Sequence, residues 1–186
     1  MLDDEKELIR QLHNEDTRRD AFECLVRAHQ QKLYYMVRRI VVVHEDTDDV
    51  IQNTFVKAWQ AIEHFRGESS LLTWLYRIAA HEALDHLARQ RRKAELSIDR
   101  ERESDGMLLA DRLESDPYFD GDETERQLMQ AIDELPEKQR VVFHLKYFEE
   151  MKYEQMSEVL GTSVGALKAS YHHAVKKISA FFGMKD

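Results

Sequence analysis

Helix breakers are the scarcest resource in this chain. Its 186 residues hold two prolines and six glycines. Between them run long stretches of Leu, Glu, Arg, Ala, Gln and Lys, the residues that cost least in a helix. The expected fold class is therefore all-α. An apolar fraction of 42% supports a buried core, and the length suits one ordinary domain or two small ones. The single cysteine, Cys24, rules out an internal disulfide and fits a reducing compartment. It sits on an apolar stripe with Phe22 and Leu25, which predicts a buried thiol.

Apolar spacing divides the chain into two helical blocks. Phe22, Leu25, Val26, Leu33, Met36, Val37 and Ile40 recur at three- and four-residue steps and predict a helix over 17–42. A second helix is predicted over 45–65, with Val50, Ile51, Phe55, Ala58, Trp59 and Ile62 facing inward. Glu45, Asp46, Asp48 and Asp49 suit the positive end of its dipole. Arg66-Gly67-Glu68-Ser69-Ser70 then reads as a loop with serine caps, followed by a helix over 71–92.

Residues 93–121 lose the periodicity and gain charge. Between Ala94 and Arg126 twelve acids face four bases, a net −8 out of −9 for the whole chain. The rest is close to neutral, so the acidic total does not describe the helical blocks. Asp116-Pro117 and Asp120-Gly121 are turn signals. The stretch reads as a flexible acidic linker with one helical turn near 107–113. The predicted architecture is two small helical domains, 1–93 and 123–186, joined by the linker 94–122.

In the second block, Pro136 is expected to open a helix at its first position. A short helix over 153–160 stops at Gly161. Thr162 or Ser163 then caps a last helix to about Phe182, a helix-turn-helix pattern that a plain bundle can also show. The last helix carries Lys168, His172, His173, Lys176 and Lys177 and no acid, suiting contact with phosphates or a solvated lysine face. Arg89, Arg91, Arg92 and Lys93 form a second basic cluster, either complementing a helix C-terminus or touching a nucleic-acid backbone. Phe65, Trp74, Tyr76 and Arg77 mix aromatics with cations, as single-stranded nucleic acid requires, although core packing explains the aromatics equally well.

The stretch HEALDH, residues 81–86, nearly spells a zinc-protease motif. Zinc ligation on a helix needs histidines four apart. His81 and His86 are five apart, about 140° around the helix, and the adjacent His172 and His173 point about 100° apart. No catalytic site, metal or cofactor is expected. No run of about 18 apolar residues suits a membrane span. The charged start MLDDEKELIR has no signal-peptide core, so a cytoplasmic protein is expected.

Three segments resemble a known family in order. Residues 46–59, DTDDVIQNTFVKAW, look like the core-polymerase-binding segment of bacterial extracytoplasmic-function (ECF) sigma factors. FRGESS at 65–70 with TWLYRIA at 73–79 looks like their −10 recognition segment. Residues 135–147 and 153–174 look like their −35-binding domain. The resemblance implies a transcription initiation factor, not an enzyme, with core RNA polymerase and promoter DNA as partners. It implies polymerase contact, at the coiled coil of the largest subunits, by Asp49, Gln52 and Asn53. It implies −10 contact by Arg66, Ser69, Ser70, Trp74, Arg77 and His81, and backbone contact by Arg89, Arg91 and Arg92. It implies −35 contact by Lys168, Ser170, His172, His173 and Lys176. Family members are commonly held by an anti-sigma factor, so such a partner is expected. The acidic linker would be repelled by DNA and drawn to basic polymerase surfaces.

The chain departs from the family at two places. The family often has G-T-V-K-S-R-x-x-R-A where this chain has Gly165 to Ala174, so two arginines are replaced by Ser170 and His173. An arginine–guanine contact carries about 1–3 kcal/mol of discrimination, so the −35 preference should change or weaken. His81 stands where the family usually has asparagine. It reads as a substituted base reader, steadied by Asp85 four residues on, or as a surface residue. The alternatives are a helix-turn-helix regulator that acts without polymerase, a sigma-like protein kept only as an interaction module, and a metalloenzyme.

Overall fold

The computed structural model describes residues 3–41, 43–97 and 123–183, and every regular element there is helical. The N-terminal block holds α1 (Asp3–His13), α2 (Arg18–Val41), α3 (His44–Ala61), a 3-10 turn (Ile62–His64) and α4 (Leu71–Ser97). The C-terminal block holds α5 (Glu123–Asp133), α6 (Glu137–Tyr147), α7 (Tyr153–Leu160) and α8 (Val164–Phe181). Most of the predicted linker, with its helical turn near 107–113, lies outside the described residues.

Four boundaries differ from the spacing argument. Helix α4 runs on to Ser97, past the predicted end at 92 and into the stretch assigned to the linker, because its residues 93–97, Lys-Ala-Glu-Leu-Ser, hold no Gly or Pro to stop it. Helix α1 is an addition: its few apolar residues, Leu8, Ile9 and Leu12, sit among charges and do not stand out in the sequence. The second helix stops at Ala61 and tightens into the 3-10 turn, whose C-cap Phe65 is extended. Pro136 precedes the first helical residue of α6 instead of occupying it. The helix-turn-helix has its expected chemistry. Gly161 ends α7 at φ 60°, a left-handed conformation that costs a side chain strain. Ser163 caps α8, its Oγ accepting the Ala166 N–H at 3.3 Å.

Leu25, Leu33, Met36, Val37 and Ile40 of α2 build the N-terminal core with Val50, Ala58 and Ile62. Ala79, Ala80 and Ala83 let α4 approach closely. The same apolar cluster continues into Val141, Val142, Leu145, Met156 and Val159, so α6 and α7 pack across α2 and α4. A second cluster, with Ile132, Leu135, Phe143, Ala174 and Ile178, stays within the C-terminal block.

Two expectations about the core are corrected. Cys24 is exposed, not buried: the stripe that turns inward runs through Ala21 and Leu25, and Cys24 lies about 100° off Leu25. Trp59 is 42% exposed, because α3 buries Thr47, Val50, Thr54 and Ala58 instead. These recur at three and four residues and include two threonines whose hydroxyls bond the carbonyls of Val43 and Val50, both at 2.7 Å. Trp59 lies outside that stripe, edge-on to Phe22 at 5.1 Å between ring centres.

Candidate nucleic-acid interface

Helix α3 presents Asp49, Gln52 and Asn53 together on one exposed face. Val56, one turn further on and 54% exposed, extends this face. Sequence reading did not single it out, although its i, i+7 relation to Asp49 places it on the same face. Lys57 turns the other way and pairs with Glu82, which is only 5% exposed. The second residue of HEALDH therefore anchors α3 to α4.

The loop between the 3-10 turn and α4 borders a cavity of about 450 Å³ lined by His64, Phe65, Arg66, Glu68, Ser69, Trp74, Arg77 and Glu158. Arg66, Ser69, Trp74 and Arg77 are thus brought together. Trp74 is half-buried, with its ring centre 5.1 Å from that of Phe65, so it packs and lines the cavity at once. Ser70 is used differently. Its Oγ accepts the Thr73 N–H at 3.1 Å and bonds the Thr73 hydroxyl, capping α4. Tyr76 is core, 3% exposed, with its hydroxyl donating to Glu149.

His81 does not bond Asp85. Its Nδ1 lies 2.7 Å from the Arg77 carbonyl. A carbonyl only accepts, so Nδ1 carries the hydrogen and Nε2 of the neutral ring is left as an acceptor. His86 faces α3, with Nε2 3.3 Å from Asp46. The two histidines therefore serve different neighbours and converge on no common ligand point. Arg89, Arg91 and Arg92 are exposed along the end of α4. Arg91 stands 3.5 Å from Glu137, and Arg92 donates to the Ala88 carbonyl.

On α8, Lys168, His172 and Lys176 follow one another at four-residue steps on an exposed stripe, with His173 beside them. Lys168 reaches back to within 5.6 Å of the Tyr153 ring centre. Ser170 turns inward: it lines a groove of about 280 Å³ together with His81, Lys138, Leu160 and Thr162.

The junction between the blocks is polar at its centre. Arg140 donates to the Ile40 carbonyl at 3.0 Å and the Asp133 carbonyl at 2.7 Å, and lies 2.8 Å from the Asp133 carboxylate. Arg77 donates to the Glu158 carbonyl at 3.0 Å, and the Arg39 guanidinium stacks 4.2 Å from the Phe148 ring centre. His144, 1% exposed, places Nε2 3.3 Å from Glu149, though neither ring nitrogen makes a well-aligned hydrogen bond among the described residues. Burial lowers the His144 pKa, against the opposing pull of Glu149. Burial alone would raise the Glu149 carboxyl; His144, Tyr76 and Arg39 together bring it below its ordinary value. Burial and the Glu149 contact push the Tyr76 hydroxyl well up.

Comparison with known proteins follows the same division. The family described as Sigma-70 region 2 matches residues 25–93, and Sigma-70, region 4 matches residues 125–178. The chain is 33% identical to the RNA polymerase sigma-H factor of Pseudomonas aeruginosa over 94% of its own length and 91% of that protein. It is 34% identical to the ECF RNA polymerase sigma-E factor of Haemophilus influenzae, covering 85% of each. Among solved structures, CnrH in complex with the cytosolic domain of CnrY superposes with a TM-score of 0.68 at 27% identity, over 99% of this chain and 100% of that one. The sigma factor RpoE of Bartonella quintana, solved with the anti-sigma factor NepR, shares the fold with a TM-score of 0.71 at 20% identity, over 89% and 98%. The chain belongs to the ECF group of the sigma-70 family and is a transcription initiation factor.

Proposed function

We propose that the chain docks on core RNA polymerase through the α3 face of Asp49, Gln52, Asn53 and Val56, and reads the −10 and −35 elements with separate surfaces. The observation that carries this reading is the loop cavity. Arg66, Ser69, Trp74 and Arg77, drawn from a loop and a helix, line a single space beside an aromatic ring. An unstacked base can be held there by stacking and edge hydrogen bonds, as strand opening requires. His81 supplies an Nε2 acceptor one turn along α4 from Arg77. The stripe Lys168, His172 and Lys176, with His173, suits the major groove and its phosphates, while Arg89, Arg91 and Arg92 suit backbone contact. Among the described residues no helix is long and apolar enough to cross a membrane, and the chain acts in the cytoplasm without catalysis of its own.

The described arrangement adds a requirement. His81 and Ser170, assigned to different elements, line the same groove. The −10 and −35 centres are about 25 base pairs apart, roughly 85 Å of B-DNA. The blocks must separate before both elements are read. A partner that binds them closed would inhibit, which supports an anti-sigma factor of the kind found with RpoE. Run-off transcription with core polymerase over a promoter library tests the function: initiation should depend on both elements. Equal output from every promoter, or no binding to core, would sink it.

A further inference from the structure

The reading loop, residues 65–70, is fastened at both ends by a segment outside the matched family regions. The Sigma-70 region 2 match begins at residue 25, and α1 lies wholly before it. Helix α1 turns Leu8, Ile9 and fully buried Leu12 to the core. Just after α1, Arg18 donates to the Leu12 carbonyl at 3.0 Å and pairs with Glu63 of the 3-10 turn, which fixes the start of the loop. At the other end, the Leu71 N–H donates to the Glu5 carboxylate at 2.7 Å.

That second bond has a clear physical reason. The first N–H groups of a helix have no acceptor within the helix. Ser70 satisfies that of Thr73. Helix α4 has no acid in its own first turn, and Glu5 supplies one from 66 positions upstream. Leu71 is 1% exposed, so its N–H would be orphaned without Glu5. The carboxylate also faces the positive end of the longest helix in the fold.

We propose that Glu5 is a positioning residue for promoter reading: it pins the first turn of α4 and so holds Arg66, Ser69 and Trp74 in register around the cavity. This rests on the −10 role assigned above. With Glu5 in place the loop meets an extruded base already shaped. Without it the first turn of α4 frays, and the cavity no longer distinguishes one base from another.

The test uses the full chain in holoenzyme with core polymerase, on a promoter carrying each single −10 or −35 substitution. Glu5→Ala should reduce discrimination at the −10 element by about fivefold, the size of one lost helix cap, and leave −35 discrimination and core affinity unchanged. Glu5→Gln should retain most of it, because the amide oxygen accepts the same bond. Glu5→Asp, one methylene short, should behave like Glu5→Ala. The Gln–Asp pair decides the matter even if Glu5→Ala fails to fold. A uniform fall in all three readouts, or no change in any variant, would overturn the proposal. A wild-type chain blind to −10 substitutions would overturn the −10 role itself, and this inference with it.

Discussion

The two surfaces proposed to read promoter DNA are built in different ways. The C-terminal one is a stripe on a regular helix: α8 is capped by its own Ser163, and Lys168, His172 and Lys176 are aligned by helical pitch alone. The N-terminal one is assembled. Its loop is held by Glu5 of α1 and by Arg18 at the start of α2, its cavity is walled by Trp74 against Phe65, and Glu158 of the other block stands at its rim. A surface made by pitch should respond only to changes on the stripe. An assembled surface should respond to changes far from DNA.

The largest expected effect lies at the junction that covers the assembled surface. Arg140→Ala removes a buried cation that satisfies two backbone carbonyls and a carboxylate. It should cost about 3 kcal/mol of thermal stability. A loss below about 1 kcal/mol, within the range of one ordinary hydrogen bond, would show that the junction is not held by Arg140.

Next is the face proposed to meet polymerase. Val56→Asp places a charge on the apolar end of the α3 patch and should weaken core binding by about 2 kcal/mol, roughly thirtyfold, as an unpaired buried charge does at an interface. A change confined to promoter choice would instead move Val56 out of the docking face.

Tyr76→Phe comes third. It deletes the hydroxyl that Glu149 accepts and should cost about 1–2 kcal/mol of closure. Distance measurements between labels on the two blocks would read this as a larger open fraction. The same labels should report pH. In the closed form burial holds the His144 pKa below its ordinary value, and opening relieves that burial. The open form therefore takes up the proton more readily, so closure is complete above about pH 6.5 and weakens below it. Glu149, with a lowered pKa, acts in the same direction at lower pH. The raised Tyr76 pKa makes closure weaken again above about pH 10. A pH-independent distance would remove this cluster from the control of opening.

The smallest effect belongs to the pitch-built surface. Lys168→Ala should weaken promoter binding at every sequence and lower the salt slope by about one. Altered −10 preference in that variant would break the contrast between the two surfaces. His81→Asn sharpens it from the other side, since only the −10 preference should shift.

What could be read without coordinates follows from the local nature of helices. Hydrogen bonds within four residues and a 3.6-residue repeat write α2, α4 and the α7–Gly161–α8 turn directly into apolar spacing, breakers and caps. The α8 stripe was legible for the same reason. Spacing alone did not decide which of several semi-apolar faces wins burial. Thr47 and Thr54 beat Trp59 on α3, while Phe55 stays half-buried against the core, because the threonine hydroxyls close on backbone carbonyls and their small side chains admit close packing. Cys24 lost to Leu25 one position away. The partner of His81 was a carbonyl in its own helix, not Asp85. The Glu5–Leu71 bond, the shared groove of His81 and Ser170, and the His144–Glu149–Tyr76 cluster join residues tens of positions apart. Such contacts exist only once the helices have packed, so only the tertiary structure could decide them.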